Sequence, residues 1–170
     1  MREVRLQKDL QELIHFAGQT GGRLVVTGHS RQSVSLRLTC YSAVKSEGAV
    51  AIAERDHFIE LALPPAWPAE APIVLVRDPE IYHPNCAPRQ GLAHGLFGLL
   101  LGGFVCYAAR YSPLHSLSMV VNSVYDLIAM RNGKWSKRLT DCLNPEAVRW
   151  ANEMAASGLF PLDRRPLVQR

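Results

Sequence analysis

No two of the four cysteines form a Cys-x-x-Cys pair; Cys40, Cys86, Cys106 and Cys142 lie far apart. That spacing argues against a disulfide frame and for reduced thiols in a cytoplasmic protein. Long apolar runs are missing too. The longest, Gly95 to Val105, has eleven residues, four of them glycine, short of the roughly 18 that cross a bilayer. Met1 to Ile14 is charged and has no continuous apolar core, so no secretory signal is expected. A basic stripe is also lacking. Net charge is +4, but apart from Arg164-Arg165 the cations are scattered, whereas a nucleic-acid surface clusters them. Neither nucleic acid nor membrane is therefore an expected partner. GLFGLLLGG is glycine-rich but lacks the Lys and Ser/Thr of a phosphate loop. No carboxylate spacing suggests glycosidase chemistry, and no segment repeats.

What is present describes one α+β domain over residues 1–158 with an extended tail at 159–170. Leu6, Leu10, Leu13, Ile14 and Ala17 make one apolar stripe on a helix over 2–17, which Gly18, Gly21 and Gly22 stop. Leu24 to Val26 is a short strand. Ser33 to Tyr41 alternates, with Val34, Leu36, Leu38 and Cys40 on one face, and reads as a half-buried antiparallel strand. Lys45 to Gly48 is a turn. Ala49 to Ala53 fits either a separate strand or the start of the next one, His57 to Leu63. Pro64, Pro65, Pro68 and Pro72 then stiffen a turn over Trp67, ahead of Ile73 to Val76. The strands amount to a four-stranded antiparallel meander. Two helices follow. One has Ser112 as N-cap, Pro113 in its first turn and Leu114, Leu117, Val121, Val124, Leu127 and Ile128 inward. The other spans 145–157 behind Asn144, with Ala147, Val148, Ala151, Met154 and Ala155 inward.

Between sheet and helices lies Ile81 to Pro113, where the chemistry-bearing residues gather. His83, Cys86, His94 and Cys106 fall within 24 residues and could in principle ligate zinc, though their spacing matches no established finger. A cysteine nucleophile is the alternative. Thiol–thioester exchange is nearly isoenergetic and needs little acid–base help. It does need a donor for the developing oxyanion, a task an asparagine amide can perform.

Several collinear motifs here resemble those of ubiquitin-conjugating enzymes. RLQKDLQEL resembles the family's first helix. FIELALPPAWPAEAP resembles its strand and proline turn, with Trp67 in place of tyrosine. IYHPN resembles the His-Pro-Asn signature at His83, Pro84 and Asn85. GFVC resembles the segment around the catalytic cysteine, with Gly103 three residues ahead of Cys106. YSP resembles Trp-Ser-Pro, and LNPEA the approach to the third helix. The resemblance implies a UBC-like fold in which Cys106 accepts the C-terminus of a ubiquitin-like modifier from an activating enzyme and passes it to an amine of a target protein. Asn85 would stabilise the oxyanion or order the loop. His83, grouped with the catalytic set, would hydrogen-bond local backbone. Asp141 would orient the incoming amine. The first helix, with Arg2, Arg5 and Lys8, would face the activating enzyme. No cofactor or metal is implied.

Departures from the family pattern are as informative. Twenty residues, Cys86 to Val105, separate Asn85 from Cys106, more than the family uses. The excess is an apolar insertion at about 87–102, where Phe97 and Leu99 are candidate contacts for a partner. Tyr-Ala-Ala follows Cys106, and no fourth-helix pattern follows the third. These features resemble divergent bacterial members of ubiquitin-like conjugation operons, some tied to antiphage defence. Two other readings stay open: a non-catalytic module of this fold that binds a ubiquitin-like protein, and a zinc-stabilised interaction protein.

Overall fold

The structure, a computed structural model, describes residues 2–46, 48–88, 103–107, 111–131, 135 and 142–168. In order it has α1 (Arg2–Gly18), β1 (Leu24–His29), β2 (Ser33–Ser46), β3 (Ala49–Ala62), β4 (Ile73–Asp78), β5 (Phe104–Val105), α2 (Leu117–Ile128) and α3 (Pro145–Ala156). The strands form one sheet in sequence order, each antiparallel to its neighbour. Among the described residues the meander thus has five strands rather than the expected four. The fifth is two residues long, too short for an alternating pattern, and forms because β4 offers an edge, with Val74 opposite Val105 and Leu75 opposite Phe104. Residues 49–53 are the start of β3. Its register with β2 runs unbroken from Ser46 opposite Ala49 to Ser33 opposite Ala62.

Val34, Leu36, Leu38 and Cys40 are buried, as their alternation requires, beneath Leu6, Leu10 and Leu13 of α1 and Val121, Val124 and Leu127 of α2. Ile14 departs from expectation. It is 54% exposed while Leu13 is fully buried, because adjacent helical residues point about 100° apart and only one can face the core. Ala155 is likewise exposed on α3, whose buried side is Ala147, Val148 and Ala151.

The start of α2 corrects the sequence reading. Its N-cap is Ser116, not Ser112, and Leu114 is 84% exposed. Ser112 to His115 form a turn, closed by the His115 N–H on the Ser112 carbonyl at 2.9 Å. A tertiary contact sets the boundary: the Ser116 hydroxyl donates to Glu12 of α1 at 2.6 Å, and Ser118 donates to the same oxygen. The two hydroxyls, Ser116 foremost, hold the Glu12 carboxyl below its ordinary pKa.

The described part of the tail, residues 159–168, carries neither helix nor strand, yet it is tied down at several points. The Leu162 N–H donates to Ala129 O at 2.9 Å. Arg131 donates to the carbonyls of Asp163 and Arg165, both at 2.9 Å. Arg23 donates to Leu167 O at 2.9 Å, and Leu167 is buried.

Candidate active site

The site is built from the chain on either side of the insertion. Pro64 to Pro72 turn the chain over Trp67, which is 2% exposed, and deliver it to β4. Beyond β4 the Tyr82 N–H donates to Ala43 O at 2.8 Å, fixing the entry to the His83-Pro84-Asn85 turn. That turn closes with the Cys86 N–H on His83 O at 3.0 Å. The Asn144 N–H reaches Pro84 O at 3.0 Å, and the Asn144 side chain caps α3 by accepting from Ala147 N–H at 3.2 Å. The LNPEA segment is thereby stapled to the His-Pro-Asn turn.

His83 is buried and bonded to local backbone. It is 1% exposed, and its Nδ1 accepts the Asn85 backbone N–H at 2.9 Å. An accepting Nδ1 is unprotonated, so the neutral ring carries its proton on Nε2. Burial holds the imidazole pKa down to about 3. With one nitrogen committed and the other buried, the ring is not placed to take a proton from a reacting group.

Two short segments then pair across the insertion. Ala87 N–H donates to Phe104 O at 2.8 Å, Gly103 N–H to Ala87 O at 3.1 Å, and Cys106 N–H to Asn85 O at 2.9 Å. Cys86 stands opposite Val105. The twenty residues between Asn85 and Cys106 therefore leave and return at one place, and the site does not have to span them. Gly103 anchors the returning segment: its carbonyl accepts the Val76 N–H at 2.8 Å, and its φ is +86°. That left-handed conformation suits glycine, and a Cβ there would lie 2.3 Å from Val76 O.

The outcome is one exposed thiol. Cys106 is exposed, Cys142 intermediate, and Cys40 and Cys86 buried. Burial pushes the Cys40 thiol up to about 12 and raises that of Cys86 as well, so both are poor nucleophiles. Asn85 Nδ2 donates to the Cys106 carbonyl at 3.4 Å, which places the amide beside the thiol's own backbone. Tyr107, the next residue, donates its hydroxyl to Pro72 O at 3.1 Å, tying Cys106 to the proline turn.

Other expected site residues fall elsewhere. Arg2 donates to Leu63 O at 3.1 Å and Pro65 O at 3.2 Å. Arg5 donates to Asp9 at 2.8 Å and His115 O at 3.0 Å. Both cations are thus engaged in holding α1 to its neighbours, whereas Lys8 is exposed. Asp141, Phe97, Leu99 and His94 lie outside the described residues. Among the described residues no three His, Cys, Asp or Glu side chains gather as metal ligands, and no helix is long and apolar enough to cross a membrane. The sequence marks Asn144 as the cap of α3, which the structure bears out, but not its bond to the His-Pro-Asn turn, and it gives Tyr107 no role. For Tyr107 the available signal is its neighbour Cys106.

Among solved structures, the chain is similar to one described as "Ubiquitin conjugating enzyme (putative) from Trypanosoma cruzi", with a TM-score of 0.58 and 15% identity over 92% of this chain and 90% of that one. No protein-family model and no curated protein matches the sequence. At that identity the likeness is one of fold: a UBC-like α+β fold with, among the described residues, a helix ahead of the sheet and two behind it.

Proposed function

We propose that this protein is a conjugating enzyme for a ubiquitin-like modifier, with Cys106 as the acceptor. The observation that supports it best is the exposed Cys106 thiol, held beside Asn85 by the pairing of residues 85–87 with 103–106. The Cys106 sulfur attacks the thioester carbonyl that joins the modifier's C-terminus to an activating enzyme. A new C–S bond forms, the old one breaks, and the departing thiol takes up the proton lost from Cys106. A target amine then attacks this thioester, an amide forms, and Cys106 leaves as a thiol with the proton from the amine. Asn85 orders the loop through Cys106 O and can turn its amide to the oxyanion, a role worth about 3–4 kcal/mol where measured in other enzymes. Asp141 is assigned to the incoming amine from its sequence position alone. On the departures from the family pattern, we place the protein with divergent bacterial conjugation systems, in the setting of antiphage defence.

The test is incubation with activating enzyme, modifier and ATP. A thiol-sensitive adduct is expected on the wild type, a thiol-stable oxyester on Cys106→Ser and none on Cys106→Ala. An adduct that survives Cys106→Ala would move the nucleophile and overturn the assignment. A non-catalytic module would form no adduct with any variant.

A further inference from the structure

We infer that Phe160, in the C-terminal tail, and Trp135 are positioning residues for Cys106 that act through His83. The Phe160 ring is wedged between two indoles. Its centroid lies 5.6 Å from that of Trp135 at 84° and 6.0 Å from that of Trp150 at 64°. Each indole in turn meets one of the two residues that enter the His-Pro-Asn turn. Trp135 meets the His83 imidazole at 6.2 Å and 85°, and Trp150 meets the Tyr82 ring at 5.7 Å and 63°. Trp135 is fixed from the other side, its indole N–H donating to Asn152 Oδ1 of α3 at 3.1 Å. All these contacts are edge-to-face, the arrangement the aromatic quadrupole favours.

The reason such a frame matters lies in the imidazole. In its present orientation the ring gives Nδ1 to the Asn85 N–H. Rotated by half a turn, it would offer a C–H there and leave that amide unpaired. Among the described residues Nε2 has no hydrogen-bond partner, so its hydrogen bonding does not select the orientation. The Nδ1 bond to the Asn85 N–H selects it, and the edge-to-face contact with Trp135 holds the ring's plane and place so that this bond stays aligned. The line of support runs from Phe160 to Trp135, to His83, to the Asn85 N–H, and through Asn85 O to the Cys106 N–H. Such outer support fixes a reactive group that has few contacts of its own. The tail beyond Phe160 is bound to Ala129, Arg131 and Arg23, so the wedge is held in place. The consequence for thioester transfer rests on the function proposed above; the positioning of Cys106 does not.

The experiment is amide hydrogen exchange by NMR on the full chain, comparing wild type with Phe160→Leu and Phe160→Tyr, alongside the charging assay. In Phe160→Leu the Asn85 and Cys106 amides should exchange about tenfold faster, while Leu36 and Leu38 in β2 stay unchanged. Phe160→Tyr, which keeps the ring, should lie within about twofold of wild type. Charging of Cys106 should slow in parallel with the exchange at its amide. The inference is overturned if the Asn85 and Cys106 amides do not respond. It is equally overturned if they accelerate by the same factor as Leu36 and Leu38, since the tail would then contribute only to global stability. Should Phe160→Leu not fold, Trp135→Phe probes the same line from its middle and must give the same selective pattern. Exchange is read without any modifier, so a protein that never charges can still show the positioning effect. Normal charging with unresponsive amides would sink this inference alone.

Discussion

Replacing Gly103 with alanine should loosen the base of the insertion and cost several kcal/mol. The new Cβ would sit 2.3 Å from Val76 O and 3.3 Å from the Val76 carbonyl carbon. Both are backbone atoms of β4, which is paired with β3 on one side and β5 on the other, so no side chain can swing aside. A φ of +86° adds roughly 1–2 kcal/mol for any residue with a Cβ. Relief requires residue 103 to move off β4. That breaks the Val76 N–H bond to Gly103 O and the Gly103 N–H bond to Ala87 O, each worth about 1 kcal/mol net. Together these come to about 3–4 kcal/mol, a large share of the roughly 5–15 kcal/mol that separates native from unfolded states. Urea denaturation of Gly103→Ala at neutral pH measures it, and the slope m should be unchanged. Hydrogen exchange adds the location: the Val76, Gly103 and Cys106 amides should lose protection before Leu36 and Leu38 do. A stability loss under about 0.5 kcal/mol, with Val76 and Gly103 protected as in wild type, would refute the close-approach argument.

Two further expectations concern the same framework. Burial holds His83 down to about 3 and His57 to about 4, against 6.5. Both are therefore neutral in the fold and protonate once unfolded, so the stability they carry is intact above pH 6.5 and lost as pH falls from 6.5 to about 4 for His57 and about 3 for His83. Two protons bound only by the unfolded chain give a slope approaching about 2.7 kcal/mol per pH unit. Urea midpoints at pH 7, 6 and 5 read it directly, and a flat profile would contradict the burial of the two imidazoles. Because Ala87 and Gly103 are bonded to each other, replacing residues 89–102 with two glycines should leave the fold intact. The change in loop-closure entropy is on the order of 1–2 kcal/mol. Far-UV circular dichroism and a cooperative urea transition would verify this; loss of cooperativity would show that the insertion is part of the core.

Much of this protein is legible before any coordinates, for a physical reason. Alternation in Ser33 to Tyr41 reflects the two faces of a strand, and the Leu6, Leu10, Leu13 and Ala17 spacing reflects one side of a helix. Both are set by residues within a few positions of each other. The α+β order and the buried character of Cys40 and Trp67 follow from the same local rules. The two ends of the candidate site, His83 to Asn85 and Gly103 to Cys106, are legible in a different way, through their resemblance to short motifs of a known family. What the sequence does not carry is any contact between positions far apart along it. The first turn of α2 moves to Leu117 because Glu12, more than a hundred residues away, takes the Ser116 and Ser118 hydroxyls. Phe104 and Val105 become a strand only because β4 has a free edge. The tail lies down because Arg23 and Arg131 reach its carbonyls, and Phe160 finds His83's neighbour only once α3 has brought Trp150 and Asn152 to it. Above all, the sequence puts twenty residues between Asn85 and Cys106, and three backbone hydrogen bonds across the base of the insertion bring them together. Periodicity chooses which face of each element is buried; only the closed chain decides which faces meet.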